Sequence, residues 1–278
     1  MRRALPWLLV GLVAAGAGLG MGIGIANQSS PSAQAQISQI IKTTERAGTA
    51  HFDLSIVSTS PNPENRYTYI ESGEISFKTG DMEFSVHYLS ANSKATNGSG
   101  SGASDTRVIV THRSLFLYQT LTTPGLGGTS WAKDTISTGS PERAEVLNSF
   151  GPFGDLEVPG AVKIVQFADL GQHILHGEGA TEFHFSTSTC QSTTNGVTQR
   201  VSAAPTTLWV DSHGRLIQAV ATQTVVVHSP PKHGDLNNRL HTTVTVHLSD
   251  LGAPVKVAAP TGVNGAMSIL FASSKCTG

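Results

Sequence analysis

Leu208-Trp209-Val210-Asp211-Ser212-His213-Gly214-Arg215-Leu216 is the stretch that decides the fold of this chain. A short apolar strand ends at Asp211. Ser212 to Arg215 supply the glycine and polar groups of a tight turn, and Leu216 opens an unusually long second strand reaching His228. Beyond a polar loop, Ser229 to Asp235, a third strand places Leu240, Thr242, Val244, Val246 and Leu248 on one face. His241, Thr243, Thr245 and His247 fall on the other. From Thr206 to Pro260 the chain therefore reads as a β-meander with a broad apolar face and a sharp exit loop, and it carries no catalytic motif.

Toward the N-terminus the same period recurs. Strands are expected at about Thr49 to Ser58, Tyr67 to Lys78, Met82 to Leu89, Arg107 to His112, Ser114 to Thr120, Val162 to Leu170 and Thr181 to Thr187. Ser90 to Asp105, rich in Ser, Gly and Asn, reads as a mobile loop, and Pro124 to Gly128 as another. Ile37, Ile40, Ile41 and Thr44 form a helical stripe that Gly48 ends. Ser140-Pro141 caps a second expected helix reaching Phe150. Leu115-Phe116-Leu117-Tyr118 and Val225-Val226-Val227 are apolar on both faces, so the sheet needs cover on both sides. These elements predict an α+β fold: a strongly curved antiparallel sheet, an open half-barrel, with a few short helices on its concave side.

Composition narrows the function. The net charge is −1 and charged residues make up 13% of the chain, with a pI near 6.8. That leaves no basic footprint for nucleic acid and favours a β-rich exported protein. Met1-Arg2-Arg3 followed by the uncharged run Ala4 to Ala26 is an export or anchoring segment, long enough to span a bilayer of about 30 Å. Residues 1–28 are read as signal peptide or N-terminal membrane anchor, 29–36 as linker and 37–278 as one extracytoplasmic domain. Ala33-Gln34-Ala35 offers a cleavage site in the first case; in the second, Arg2 and Arg3 stay on the cytoplasmic side. The spacing of Gly16, Gly20 and Gly24 matches helix-dimer motifs but is also what a glycine-rich leader produces by chance. Cys190 and Cys276 are the only cysteines. Outside the cytoplasm they can pair, closing a loop worth about 4 to 5 kcal/mol and stapling the tail from Thr261 to the strand around Phe183. Two free thiols is the alternative.

Chemistry is sparse. There is no Gly-x-Ser-x-Gly elbow, phosphate loop, dinucleotide fingerprint or His-Glu-x-x-His. The eleven histidines, among them His173, His176, His184, His241 and His247, read as solvated strand-face and turn groups rather than ligands. Asp211 and Asp250 read as turn formers and Trp209 as a packing residue. No catalytic residue, metal centre or cofactor is expected.

Leu208 to Leu216, together with Leu248-Ser249-Asp250-Leu251-Gly252-Ala253-Pro254-Val255-Lys256-Val257 and Ala259-Pro260, resembles the LppX/LprG-type lipoproteins of actinobacterial envelopes, within the LolA-like group of lipid carriers. Lys42 to Phe52 adds a weaker match. Unlike many of those lipoproteins, the chain has no Cys before Cys190, which excludes a thioether-linked anchor and leaves attachment to the N-terminal segment. The resemblance implies a non-enzymatic extracytoplasmic binder of lipid or another apolar ligand, secreted or held on the outer face of the cytoplasmic membrane, with envelope proteins as further partners. Its expected wall is Phe52, Leu54, Ile56, Ile75, Phe77, Phe84, Val86, Leu115, Leu117, Phe183, Phe185, Val244 and Val246; ordinary core packing is the other reading of each. The rival readings are a membrane-tethered structural or interaction domain with a filled core and, more remotely, a hydrolase with a Ser or Asp near a histidine in a cleft.

Overall fold

The computed structural model describes residues 32–61, 66–90, 104–112, 114–119, 131–135, 152, 164–194, 197–202, 205–228 and 238–266. Among them are one helix, α1 (Ala33–Glu45), and fourteen strands: β1 (Thr49–Thr59), β2 (Tyr67–Ser76), β3 (Asp81–Ser90), β4 (Ser104–Thr111), β5 (Ser114–Gln119), β6 (Trp131–Thr135), β7 (Ile164–Leu175), β8 (Glu178–Thr187), β9 (Cys190–Thr194), β10 (Val197–Val201), β11 (Pro205–Val210), β12 (Leu216–His228), β13 (Asn238–Ser249) and β14 (Val263–Ala266). All fourteen strands join one curved, open sheet in the order β14-β6-β5-β4-β3-β2-β1-β13-β12-β11-β8-β7, with β9 and β10 branching from β12. Among the described residues every ladder is antiparallel except β14 on β6.

The deciding stretch folds as read. β11 and β12 form a hairpin closed by Asp211. The Asp211 backbone N–H donates to the Arg215 carbonyl at 2.9 Å, and Gly214, at φ +77°, takes the left-handed position the turn requires. The thirteen residues of β12 are long because the strand serves two partners along one side: its first half pairs with β11, and Val225 to His228 pair with β10.

Helix α1 begins within the stretch expected to be linker. Ser32 caps it, its hydroxyl accepting from the Ala35 N–H at 3.3 Å, and Ala33 and Gln34 are buried. At the other end Gly48, at φ +91°, stops the helix and accepts at its carbonyl from the Phe77 N–H. The Thr44 hydroxyl donates to the Ile40 carbonyl and accepts from the Leu216 N–H, both at 2.8 Å, pinning α1 to the start of β12. The exit loop is anchored likewise: Gly252 N–H donates to the Thr49 carbonyl, and the Thr49 hydroxyl to the Ala253 carbonyl.

Several expectations need correcting. One helix, not several, lies among the described residues. The expected second helix, Ser140 to Phe150, and the segment 1–31 fall outside them, as do 91–103 of the expected loop. The strand after that loop starts at Ser104, and β7 runs on to Leu175 rather than ending at Leu170. β6, β9, β10 and β14 were not foreseen: each has only four or five residues, too few to establish a period-two pattern. Cys190 begins β9 and is not on the Phe183 strand. Its side chain and Cys276 lie outside the description, as does any bond between them. The tail from Thr261 is not wholly loose, since Val263–Ala266 pairs with β6.

Candidate functional site: the inner face of the sheet

Register places the expected wall residues on one face. On β1, Phe52, Leu54 and Ile56 point inward, opposite Leu248, Val246 and Val244 of β13 and opposite Gly73, Glu71 and Tyr69 of β2. Phe84 and Val86 follow on β3, Val108 and Val110 on β4, and Leu115 on β5. Across β13 the same face continues through Ala219 and Ala221 of β12, Leu208 of β11, and Phe183 and Phe185 of β8. These residues form one cluster, against which Phe77 and Phe183 pack as partly buried members. Leu117 holds its register position opposite Val108, but its side chain lies outside the description. The wall expected from sequence left out Ile37, Ile40, Met82, Leu208, Leu216, Ala219 and Leu248, which belong to this cluster. For Leu248 and Leu208, the alternation along their own strands already carried the signal.

Gly73 shows how tightly the face is built. A Cβ there would collide with the Glu83 carbonyl oxygen and the Phe84 side chain and lie 2.6 Å from the Phe84 Cα. The bare backbone lets the Phe52 and Phe84 rings meet at 6.0 Å. Helix α1 lies over the half nearer β12 and β7, where Ala219 and Ala221 are small enough for close approach. At that margin Phe167 and Phe183 stack at 5.8 Å, and apolar side chains reach solvent: Val165, Leu170 and Ile174 of β7 are exposed, Ile174 by 76%.

Polarity on the inner face changes along the strands. Near the C-terminal end of α1 it is apolar, with Ala50, Phe52, Ile75 and Met82. Toward the other end it carries buried polar groups. Glu71, only 2% exposed, lies between Leu54 and Val86, and Tyr69 donates its hydroxyl to Glu71 Oε1. Ser58 and Thr242 face each other across β1 and β13, their hydroxyls 3.5 Å apart.

His51, His87, His184, His241 and His247 lie on the outer face. Glu182 meets His184 Nε2 through Oε1 at 2.7 Å and His173 Nε2 through Oε2 at 3.7 Å. His176 pairs with Gln218 at 3.1 Å and stands edge-on to His247 at 5.8 Å, so His173 and His176 turn to different partners. No group of three metal-ligating side chains occurs among the described residues. Trp209 lies on this outer side, between Glu182 and Gln218, away from the apolar cluster. Ile109 and Phe116 form a separate buried pair on the outer face, with Lys133 5.7 Å from the Phe116 ring, so part of that face is covered too.

Asp211 organises its turn. Its Oδ1 accepts from the backbone N–H groups of His213 and Arg215 at 2.9 Å, and Oδ2 takes the Arg215 guanidinium. Burial pushes its pKa up, but the Arg215 and His213 hydrogen bonds and the Arg215 charge outweigh that and hold it below the usual value. Asp250 acts through its backbone: it sits at φ +50° and its carbonyl accepts from Ala253. His213 Nδ1 lies 3.8 Å from Asp211 Oδ2, with the histidine exposed on the turn rather than set in a cleft.

No family model matches the chain and no curated protein matches it, so the LppX/LprG-type kinship stays a resemblance. Among solved structures, lipoprotein LppX of Mycobacterium tuberculosis is similar at 12% identity and a TM-score of 0.39, over 82% of this chain and 100% of LppX. A DUF1329 family protein of Desulfovibrio piger matches at 9% identity and a TM-score of 0.24, over 80% of this chain and 92% of its own. The ywiB protein of Bacillus subtilis matches at 9% and 0.19, over 76% and 97%. Likeness at this level transfers no function.

Proposed function

We propose that the protein is a non-catalytic, extracytoplasmic binder of lipid or another apolar ligand, tethered to or exported across the cytoplasmic membrane by its N-terminal segment. The observation that carries this reading is the inner face. Strands from β5 to β8 in sheet order contribute to one continuous apolar cluster, and a single described helix lies over it. An acyl chain laid against such a face gains about 0.8 kcal/mol per buried methylene, before the cost of ordering it. The exposed apolar margin at β7 is the natural entry. The tethering half of the reading rests on residues 1–28; among the described residues no helix is long and apolar enough to cross a membrane.

The test is solvent extraction and native mass spectrometry of the full-length chain purified from a lipid-rich host. Co-purifying apolar ligand near one per chain is expected, and recovery of ligand-free protein alone overturns the reading.

A second reading has its own observation. The inner-face side chains Phe52, Phe84, Leu115 and Val246 are almost wholly inaccessible, as they are when a core fills itself. That reading makes the chain a tethered interaction domain, and it predicts partner proteins in crosslinking together with an empty solvent extract.

A further inference from the structure

Resting on the tethering half of the proposed function, we infer that the chain keeps its N-terminal segment and lays the β7 edge on the outer leaflet of the membrane that segment enters. Of the four large apolar side chains exposed among the described residues, three lie on β7: Val165, Leu170 and Ile174. Their exposure is built into the strand. Val165 and Leu170 are the extra residues of two bulges, and Ile174 stands opposite Gly179, which has no side chain to cover it. Asp169-Leu170-Gly171 specifies the second bulge: the Asp169 carboxylate accepts from the Gly171 N–H at 2.9 Å, and Gly171 takes φ +83°.

β7 ends the sheet among the described residues. Two bulges in twelve residues break the ladder that a strand from a second copy would need. A lipid surface makes no such directional demand, and at headgroup level water still reaches the N–H and C=O groups of the edge. Residues 164–187 include no Lys or Arg, so the contact is apolar and does not need anionic lipid.

The chain before α1 sets what lies beside this edge. Thr44 fixes the end of α1 to the start of β12, while α1 also touches β7. Three strand spacings, about 14 Å, separate β12 from β7, and the thirteen residues of α1 measure about 20 Å. The contact with β7 therefore falls in the earlier part of α1. Five residues, a reach of about 20 Å, join the uncharged run 4–26 to Ser32, the cap of α1. A run seated in the bilayer thus holds β7 near its surface. Cleavage after Ala35 would remove the Ser32 cap and the buried Ala33 and Gln34, so the folded domain includes residues that a cleaved leader takes away.

The full-length chain, expressed with export and purified from the whole culture, is first weighed intact. A chain that starts at Gln36 removes the tether and the inference with it. The intact chain is then reconstituted in vesicles of neutral phosphatidylcholine doped with a phosphatidylcholine that carries a photoreactive group near its head, and lipid adducts are mapped by peptide mass spectrometry after irradiation. Adducts on β7 are expected to exceed those on β6, near the opposite edge of the sheet, by about tenfold. Leu170→Ser combined with Ile174→Ser is expected to reduce the β7 adducts about tenfold at unchanged labelling of residues 4–26. Equal labelling of β6 and β7, β7 adducts that persist in the double variant, or adducts confined to residues 1–31 because water or a second copy covers β7, overturns the inference. The comparison of β6 with β7 needs no variant, so it decides even if the double variant does not fold. Adducts on the inner-face residues of β1 and β3 report lodged lipid separately: their absence removes the lipid-binding reading and leaves docking standing.

Discussion

Asp211 couples the hairpin to pH. Its folded pKa is depressed, so the stability it contributes is complete above the ordinary aspartate range, near 3.9, and is lost as the pH falls through the lower folded value. Urea midpoints of the wild type should therefore drop between neutral and strongly acid pH, and Asp211→Asn should flatten part of that slope. Asp211→Ala, which removes the acceptor of the His213 and Arg215 N–H groups on a turn that water reaches, should cost about 1 kcal/mol at neutral pH. Gly73 is constrained by space rather than by torsion. Gly73→Ala must displace the β3 backbone beside Phe84 and should lower stability by about 1 to 3 kcal/mol or more, read as a fall in the thermal midpoint.

At the scale of elements, α1 depends on its two ends. Removing the cap with Ser32→Ala should cost about 1 kcal/mol. Thr44→Val preserves shape but leaves the Leu216 N–H without its acceptor in a buried position, and should cost about 1 to 3 kcal/mol in chemical denaturation. If Thr44→Val proves neutral, α1 is held by Ile37 and Ile40 packing alone. Much of this scale was legible in sequence. The long strands β1, β3 and β13 were found with small boundary errors, because three or four inward apolar positions at strict alternation leave little ambiguity about face. The β9 and β10 strands were not, because Cys190–Thr194 and Val197–Val201 are short and mostly polar. They are strands because β12 extends past β11 and offers them an edge.

For the whole molecule, the inner face is where stability and function meet. Phe84→Ala should destabilise by about 3 to 5 kcal/mol if its ring only fills a core. A chain that holds lipid should in addition lose bound ligand in the solvent extract, and the pair of measurements separates the two readings. The sequence by itself determined the meander, the face on which each long strand is apolar, the turn at Asp211 and the absence of the catalytic motifs sought, because period, glycine placement and side-chain chemistry are local properties. Tertiary structure alone decided that β1 lies between β2 and β13, that β14 returns to pair in parallel with β6, and that Glu71 is buried between Leu54 and Val86 with the Tyr69 hydroxyl on its carboxyl group. Those outcomes depend on which distant segments become neighbours, and a one-dimensional pattern of apolar and polar residues records which face a residue takes but not who stands opposite it.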